Sequence, residues 1–314
     1  MSVHAAFPGL LRESPAIVFV NSAAGGGRAL TYLSRIQKLF ESLDVQAQFI
    51  MTNSAAELEA SAQQAILQGR RLLFAMGGDG TFQALANAAF GADVLLGVLP
   101  SGGGNDFAAA LGLQGGLLKA TEAILRGKPR FVDLLKVRTA EGRTRLYVGG
   151  GGIGLDAEAA RFASGAYRRF PGRIRYIASA LRALAGFEPL EIHVEFPGSN
   201  LISQDINVLL AAALNTPTYG AGLRLAPAAR VDDGLLHVVL IEDIGTLGIL
   251  KLLPRLMGSG ELRTSHVKRW QVQRARFTTK TPCLFHADGE IIGSTPVEIE
   301  VIPKAIQVLA PAPQ

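Results

Sequence analysis

The sequence predicts an α/β fold in its N-terminal part, built on a parallel sheet, followed by a β-rich antiparallel domain. Three observations predict it. Strand-sized apolar runs alternate with amphipathic, helix-sized segments over residues 16–127, as in a parallel sheet covered by helices. The glycines, 36 among 314 residues, gather at the ends of those runs with no G-X-Y period. Beyond about residue 130, period-2 alternation is punctuated by the turn signals Pro197-Gly198, Asp233-Gly234 and Asp288-Gly289.

Taken in order, residues 16–20 form a first strand, a glycine-rich loop follows, and residues 30–43 are an amphipathic helix. Residues 45–51 and 55–67 repeat strand and helix. Residues 71–76 are a third strand, running through Gly77-Gly78-Asp79-Gly80-Thr81 into a helix over 82–89. Residues 94–99 are a fourth, ending in Pro100-Ser101-Gly102-Gly103-Gly104 before a helix over 105–111. Such sheets bind ligands at the carboxyl ends of their strands, which is where each of these glycine clusters falls. In the second half, residues 131–137 and 144–148 read as a hairpin. Further strands are expected over 190–196, 202–212, 235–241, 270–278 and 297–302. The expected division is 1–129 and 130–303, with 304–314 free to return to the first domain as a strand.

Composition narrows the function. Apolar residues make up 48% and charged residues 18%, which excludes a disordered polyelectrolyte. The one cysteine, Cys283, excludes an internal disulfide and a Cys-rich zinc site. No apolar run approaches the roughly 18–20 residues of a membrane-spanning helix, and no basic segment precedes an apolar core at the start. A cytoplasmic protein is expected. The net charge of +5 admits an anionic substrate or membrane surface without requiring nucleic acid. No nucleic-acid partner is expected, and a homodimer is not excluded.

The glycines of Gly77–Thr81 let the backbone approach phosphate oxygens, and the helix start supplies free N–H groups. A carboxylate in such a cradle makes sense if a divalent cation lies between Asp79 and the phosphates; the alternative is a tight turn with Asp79 as N-cap. In the next loop Asp106 is a second metal-side carboxylate and Asn105 a ribose or phosphate donor. Asp133 is a third candidate, against a surface strand aspartate. The first loop, Asn21-Ser22-Ala23-Ala24-Gly25-Gly26-Gly27-Arg28, suits a phosphate or ribose with Arg28 as charge partner, and is not a Walker A loop.

Gly149, Gly151 and Gly154 satisfy G-x-G-x-x-G, but arginines at 168, 169, 173 and 175 stand where a dinucleotide site needs an acid; a close-packed loop facing the cleft is expected. Residues 161–182 carry six arginines and no acid among aromatic and aliphatic side chains, suiting either an anionic lipid interface or a solvated helix over a core. Asp288 and Glu290 flank Gly289 and can divide into a base and its orienting partner; a hairpin turn would also use Asp-Gly. His286 reads as packing. In residues 227–234, Asp233 and nearby carbonyls offer oxygen ligands for a cation.

Gly77-Gly78-Asp79-Gly80-Thr81, the segment 100–106, the segment 227–234 and Asp288-Gly289-Glu290, in this order, resemble the diacylglycerol kinase catalytic family. The chain is most similar to its bacterial soluble lipid kinases of the YegS/BmrU type. Sphingosine and ceramide kinases share the pattern, and NAD kinases share the first motif and the fold. The resemblance spans essentially the whole chain and implies a nucleotide-binding N-terminal domain of NAD-kinase/diacylglycerol-kinase-like fold, a β-rich lipid-substrate domain and an ATP site in the cleft. By position, Asn21, Ser22, Ala23, Ala24, Gly25, Thr52, Gly77, Gly78, Asp79, Gly80, Thr81, Phe82, Gln83, Gly102, Gly103 and Asn105 would line the nucleotide. Asp79, Asp106 and Asp133 would organise a catalytic Mg²⁺ through water. Glu290 would be the proton acceptor, with Asp288 the competing candidate, and a structural Mg²⁺ would take Asp233 and the carbonyls of Arg230 and Leu235.

The implied activity is ATP- and Mg²⁺-dependent phosphorylation of a diacylglycerol-, phosphatidylglycerol- or sphingoid-like hydroxyl, performed peripherally on the inner face of the membrane. An NAD kinase-like enzyme for soluble nucleotides and a catalytically degenerate lipid-binding protein are the alternatives. Three departures bear on affinity and substrate choice: Ser22 replaces the family's proline, Gly103 its Thr or Ser, and Ala109 its common arginine.

Overall fold

The structure, a computed structural model, describes residues 15–165, 178, 179, 182, 183, 187–220, 222–245, 248 and 265–311. The chain divides into two compact units, Met1–Val132 with Lys304–Gln314, and Asp133–Pro303.

In the first unit, β1 (Ala16–Asn21), β2 (Ala47–Thr52), β3 (Leu72–Gly77) and β4 (Leu95–Pro100) pair in parallel in the order β2-β1-β3-β4. β1 and β3 are near-continuous apolar runs because strands in the middle of a parallel sheet are covered on both faces. Helices α1 (Arg28–Ser42), α2 (Ala55–Leu67), α3 (Asp79–Ala89), α4 (Asp106–Ala110) and α5 (Leu117–Leu125) connect and cover them. α1 turns Ala29, Ile36 and Phe40 inward, and Phe40 meets Phe74 of β3 edge-on at 5.3 Å. α2 begins where the Ser54 hydroxyl accepts the Glu57 N–H, while the Glu57 carboxylate takes the N–H of Asn53. That is an N-terminal capping arrangement worth about 1 kcal/mol.

The strand order fixes the site. From β1 the chain goes to β2 on one side; from β3 it goes to β4 on the other. The order therefore reverses between β1 and β3, and ligands of open α/β sheets bind outside the carboxyl ends of the strands at that point.

The second unit is antiparallel apart from its chain connections. Its strands are β5 (Lys128–Arg138), β6 (Thr144–Tyr147), β7 (Gly150–Gly154), β8 (Leu190–Glu195), β9 (Gln204–Leu214), β10 (Leu236–Glu242), β11 (Val267–Val272), β12 (Arg274–Thr279), β13 (Leu284–Ala287), β14 (Glu290–Ser294) and β15 (Val297–Ala310), with α6 (Leu155–Ser164) after β7. β5 begins in the first unit, and β15 ends there, its Gln307 and Val308 pairing in parallel with Leu95 and Leu96 of β4. β5 and β6 form a hairpin. β9 pairs with β7, β8 and β10, and its buried half divides between two cores: Val208, Ala211 and Ala213 pack with Phe277, Phe285 and Tyr147, and Leu210, Ala212 and Leu214 with Tyr219 and Val239. The α/β-plus-β architecture is the one the sequence predicts.

Details differ. The single strand expected over 270–278 is two. Residues up to Val272 pair with β10, and residues from Arg274 pair with β8 and β15, so the chain changes neighbours at Gln273. The segment 150–154 is a strand and not a loop: β13 lies so close along it that a Cβ on Gly151 would stand 2.7 Å from both the His286 carbonyl oxygen and the Phe285 ring. The strand expected over 297–302 and the returning segment at 304–314 are continuous in one strand, β15, which ends at Ala310. Most of the arginine-rich stretch, residues 166–177, 180 and 181, lies outside the described residues. Within them, the guanidinium groups of Arg161 and Arg182 lie 4.7 and 5.2 Å from the Phe162 ring centroid.

Candidate active site

The loops that end β1, β3 and β4 are tied to one another by side chains. Asn21 donates its amide to the Thr81 hydroxyl at 2.9 Å and accepts the N–H of Ala23 at 3.0 Å, joining the first loop to the third across the switch point. Ser22, standing where the family has proline, donates its hydroxyl to the Asn53 side chain at 2.9 Å. The first loop is thus tethered by a hydrogen bond where a ring would have stiffened it. Ala24 is buried in a short helical turn, and Gly25 takes a left-handed conformation there. Thr52 is buried, with its hydroxyl on the Val20 carbonyl.

Asp79 is the residue on which the site turns. Its carboxylate accepts the backbone N–H of Asp106 and of Phe107, each at 3.1 Å. Both are free donors at the start of α4. Asp79 therefore does cap a helix, but α4, the one after the neighbouring strand, and not its own. The glycines serve the same closeness: a Cβ on Gly102 would lie 2.5 Å from the Gly78 Cα, so the two loops meet backbone on backbone. Glycine at 78 and 102 is explained by this contact before any ligand is considered.

Several expected nucleotide-lining residues have other duties. Phe82 and Gln83 are fully buried in α3, with Phe82 stacked on Phe107 at 4.9 Å, so their side chains belong to the core and cannot line a ligand. Asn105, in the left-handed region at φ 63°, accepts the Gly102 N–H and donates to the Gly102 carbonyl. Its amide closes its own loop and is not presented as a ribose or phosphate donor. Gly78, Gly102 and Gly103 remain on the loops at the strand ends, Gly77 closes β3, and Gly80 and Thr81 lie in the first turn of α3.

The structure brings Asp79 and Asp106 together; Asp133 belongs to the other unit. Far from being a surface strand residue, Asp133 is 1% exposed, and its carboxylate accepts the Gly234 N–H at 2.7 Å while its own N–H goes to the Val231 carbonyl. It anchors the 227–234 segment to β5. Asp233 accepts the N–H groups of Arg230 and Leu235 and faces the His237 ring nitrogen at 2.9 Å. The Arg230 carbonyl in turn accepts the Asp233 N–H. The loop is thus closed by its own donors around Asp233.

Asp79 and Asp106 offer only oxygen ligands, the donors a hard dication takes. Among the described residues no cluster of three or more His, Cys, Asp or Glu side chains could hold a metal. Mg²⁺ is commonly held by one or two carboxylates completed by substrate phosphates, so this pair fits that mode.

In the second unit, Asp288 (φ 47°) and Gly289 (φ 85°) form the turn between β13 and β14, both left-handed as a tight hairpin requires. The hairpin and the acidic pair are the same feature. The Asp288 carboxylate accepts three successive N–H groups, from Val148 at 2.8 Å, Gly149 at 3.0 Å and Gly150 at 3.1 Å. Burial pushes its pKa up to about 6, against the pull of those three N–H groups and the nearby His286. Glu290 lies half-exposed, 3.4 Å from the Arg145 guanidinium. His286 packs as expected, buried with its ring nitrogen 2.8 Å from the Tyr219 hydroxyl.

The raised pKa of Asp288 has a consequence for stability. A carboxyl that ionises later in the folded state than in the unfolded state favours folding in acid, and that contribution is lost as pH rises from about 4 through 6. Urea unfolding of the Asp288→Asn variant against the parent protein is expected to show the parent losing relative stability across this window. A difference independent of pH would contradict the burial argument.

Sequence reasoning missed Arg145 and Asn215. Arg145 carries no local signal. Asn215 has one: it is the first polar residue after the wholly apolar end of β9, Val208 to Leu214.

One unit carries acidic, glycine-rich strand ends at a switch point and the other an acidic turn, features that suit a phosphotransferase. Residues 15–137 match the diacylglycerol kinase catalytic domain, and residues 151–310 match the YegS C-terminal NAD kinase beta sandwich-like domain. The chain belongs to this diacylglycerol kinase family, and it is a lipid kinase. A diacylglycerol kinase of Mycobacterium tuberculosis (strain H37Rv) is 30% identical over 253 residues, 79% of each chain. One of Bacillus subtilis (strain 168) is 24% identical over 297 residues, 94% of this chain and 95% of that one. The crystal structure of a diacylglycerol kinase from Bacillus anthracis superposes with a TM-score of 0.70 at 17% identity, covering 94% and 96% of the two chains. Membership implies ATP as the phosphate donor.

Proposed function

We propose that the protein transfers the γ-phosphoryl group of ATP, with Mg²⁺, to a lipid hydroxyl of the diacylglycerol, phosphatidylglycerol or sphingoid type. The observation that carries this reading is the Asp79 carboxylate bridging two glycine-rich strand ends beside Asp106. Phosphoryl transfer asks little covalent chemistry of a protein and much positioning and charge stabilisation. The N–H groups at the start of α3 face the phosphates, while Asp79 takes those of Asp106 and Phe107 at the start of α4 and so keeps the two loops at a fixed spacing. Mg²⁺, when bound, neutralises charge on the transferring group; Asp79 and Asp106 would hold it.

Glu290 accepts the hydroxyl proton, because it is the reachable carboxylate of the turn and Arg145, 3.4 Å away, orients it. Asp288, its oxygens committed to three N–H groups, holds the turn that presents Glu290. The lipid is met at a membrane surface, where the arginine-rich stretch suits anionic headgroups.

Labelled ATP offered with either NAD or mixed lipid micelles tests the reading. Label in the lipid fraction is the expected result. Transfer to NAD, or lipid binding with no turnover, would overturn it.

A further inference from the structure

We propose that Asn215 is a positioning residue of the acceptor side of the site: it turns the Val148–Gly149 peptides so that three successive N–H groups converge on Asp288. The inference rests on the reading that the Asp288–Glu290 turn serves catalysis, and it adds the device that holds that turn.

Successive N–H groups of an extended strand point to opposite sides. For those of Val148, Gly149 and Gly150 to meet one carboxylate, the chain must leave the extended path and form an anion-binding nest; it does so in the break between β6 and β7. Something must then hold the carbonyls on the far side. Asn215 donates its side-chain amide to the carbonyls of Val148 and Asp133, each at 3.0 Å, and its backbone N–H to the Gly149 carbonyl at 2.8 Å. The Thr216 hydroxyl adds a bond to the same Gly149 carbonyl at 3.3 Å. Asp288 completes the exchange by giving its own N–H to the Gly150 carbonyl at 2.9 Å. The amide also reaches the strand of Asp133, so one side chain ties two acidic positions of this unit.

The local energetics argue against a merely structural asparagine. Asn215 is fully buried, and its Oδ1 meets no hydrogen-bond partner among the described residues. A buried polar atom left unpaired is costly. The seven residues before it, Val208 to Leu214, are all apolar, so packing alone would have been served by another apolar side chain. What an apolar side chain cannot supply is the pair of donors.

The test is a double-mutant cycle on the full-length protein, following lipid phosphorylation with ATP. Asn215→Leu is expected to lower kcat about ten- to a hundredfold, the cost of misplacing a group by an ångström, with KM for ATP unchanged. In an Asp288→Asn background the same substitution should change kcat by less than about twofold, because its effect passes through Asp288. Val208→Ala, a core truncation in β9, is the structural control and should cost the same factor in both backgrounds. If Asn215→Leu fails to fold, Asn215→Asp, equal in shape but lacking the two donors, takes its place. Equal losses in both backgrounds would overturn the role of Asn215 while leaving the turn intact. Normal kcat in Asp288→Asn alone would show that the reading of the turn had failed, and the inference with it.

Discussion

Asp79→Ala is expected to lower kcat by about three orders of magnitude, the effect of losing several kcal/mol of charge stabilisation around the transferring phosphoryl group. It should also cost stability. The carboxylate accepts two backbone N–H groups at the start of α4, and loss of such a cap costs about 0.5–2 kcal/mol. Asp79→Asn separates the two roles: its remaining carbonyl oxygen still accepts an N–H, so much of the stability should return while the activity does not. Chemical denaturation read beside steady-state kinetics checks both. Near-normal turnover in Asp79→Ala would remove the carboxylate from the mechanism.

Glu290→Gln should lower kcat at least about a hundredfold, the low end for losing a general base, with little change in the melting temperature. The Glu290–Arg145 contact is half-exposed, and such ion pairs contribute little to stability. The expected signature is thus a large kinetic loss in a protein that unfolds like its parent. Asp288→Asn should also lower kcat, but with the pH-dependent change in stability that its buried carboxyl predicts. If Glu290→Gln keeps its turnover and Asp288→Asn loses it, the proton goes to Asp288.

Much of the nucleotide side was legible in the sequence because glycine punctuates it. Runs such as Ala16 to Val20 and Leu72 to Met76 each stop at a glycine-rich loop, and α2 was bounded correctly at both ends, where Ser54 and Gly69 mark the limits. The chemistry of single positions was less legible. Asp79 pairs with N–H groups 27 and 28 residues away, a relation that no local spacing carries. Phe82 and Gln83 lie beside the motif in sequence yet are buried, because the stretch Thr81 to Ala86 of α3 is covered on all sides.

In the β-rich unit the period-2 signal finds strands but not their partners. The chain crosses from one neighbour to another at Gln273 with no glycine or proline to mark it. The burial of Asp133 was hidden for the same reason: the Gly234 N–H that pairs with it is 101 residues distant. Asn215 was overlooked because a lone polar residue at a strand end is ordinary until its two carbonyl partners are known.

The most direct measurement is mass spectrometry of total lipids after incubation with the protein, Mg²⁺ and ATP carrying heavy oxygen in its γ-phosphate. The account predicts a lipid heavier by one labelled phosphoryl group, formed by the parent protein and absent with Asp79→Ala. Heavy label found only in inorganic phosphate or a soluble nucleotide, or an equal yield from the Asp79→Ala variant, would contradict it.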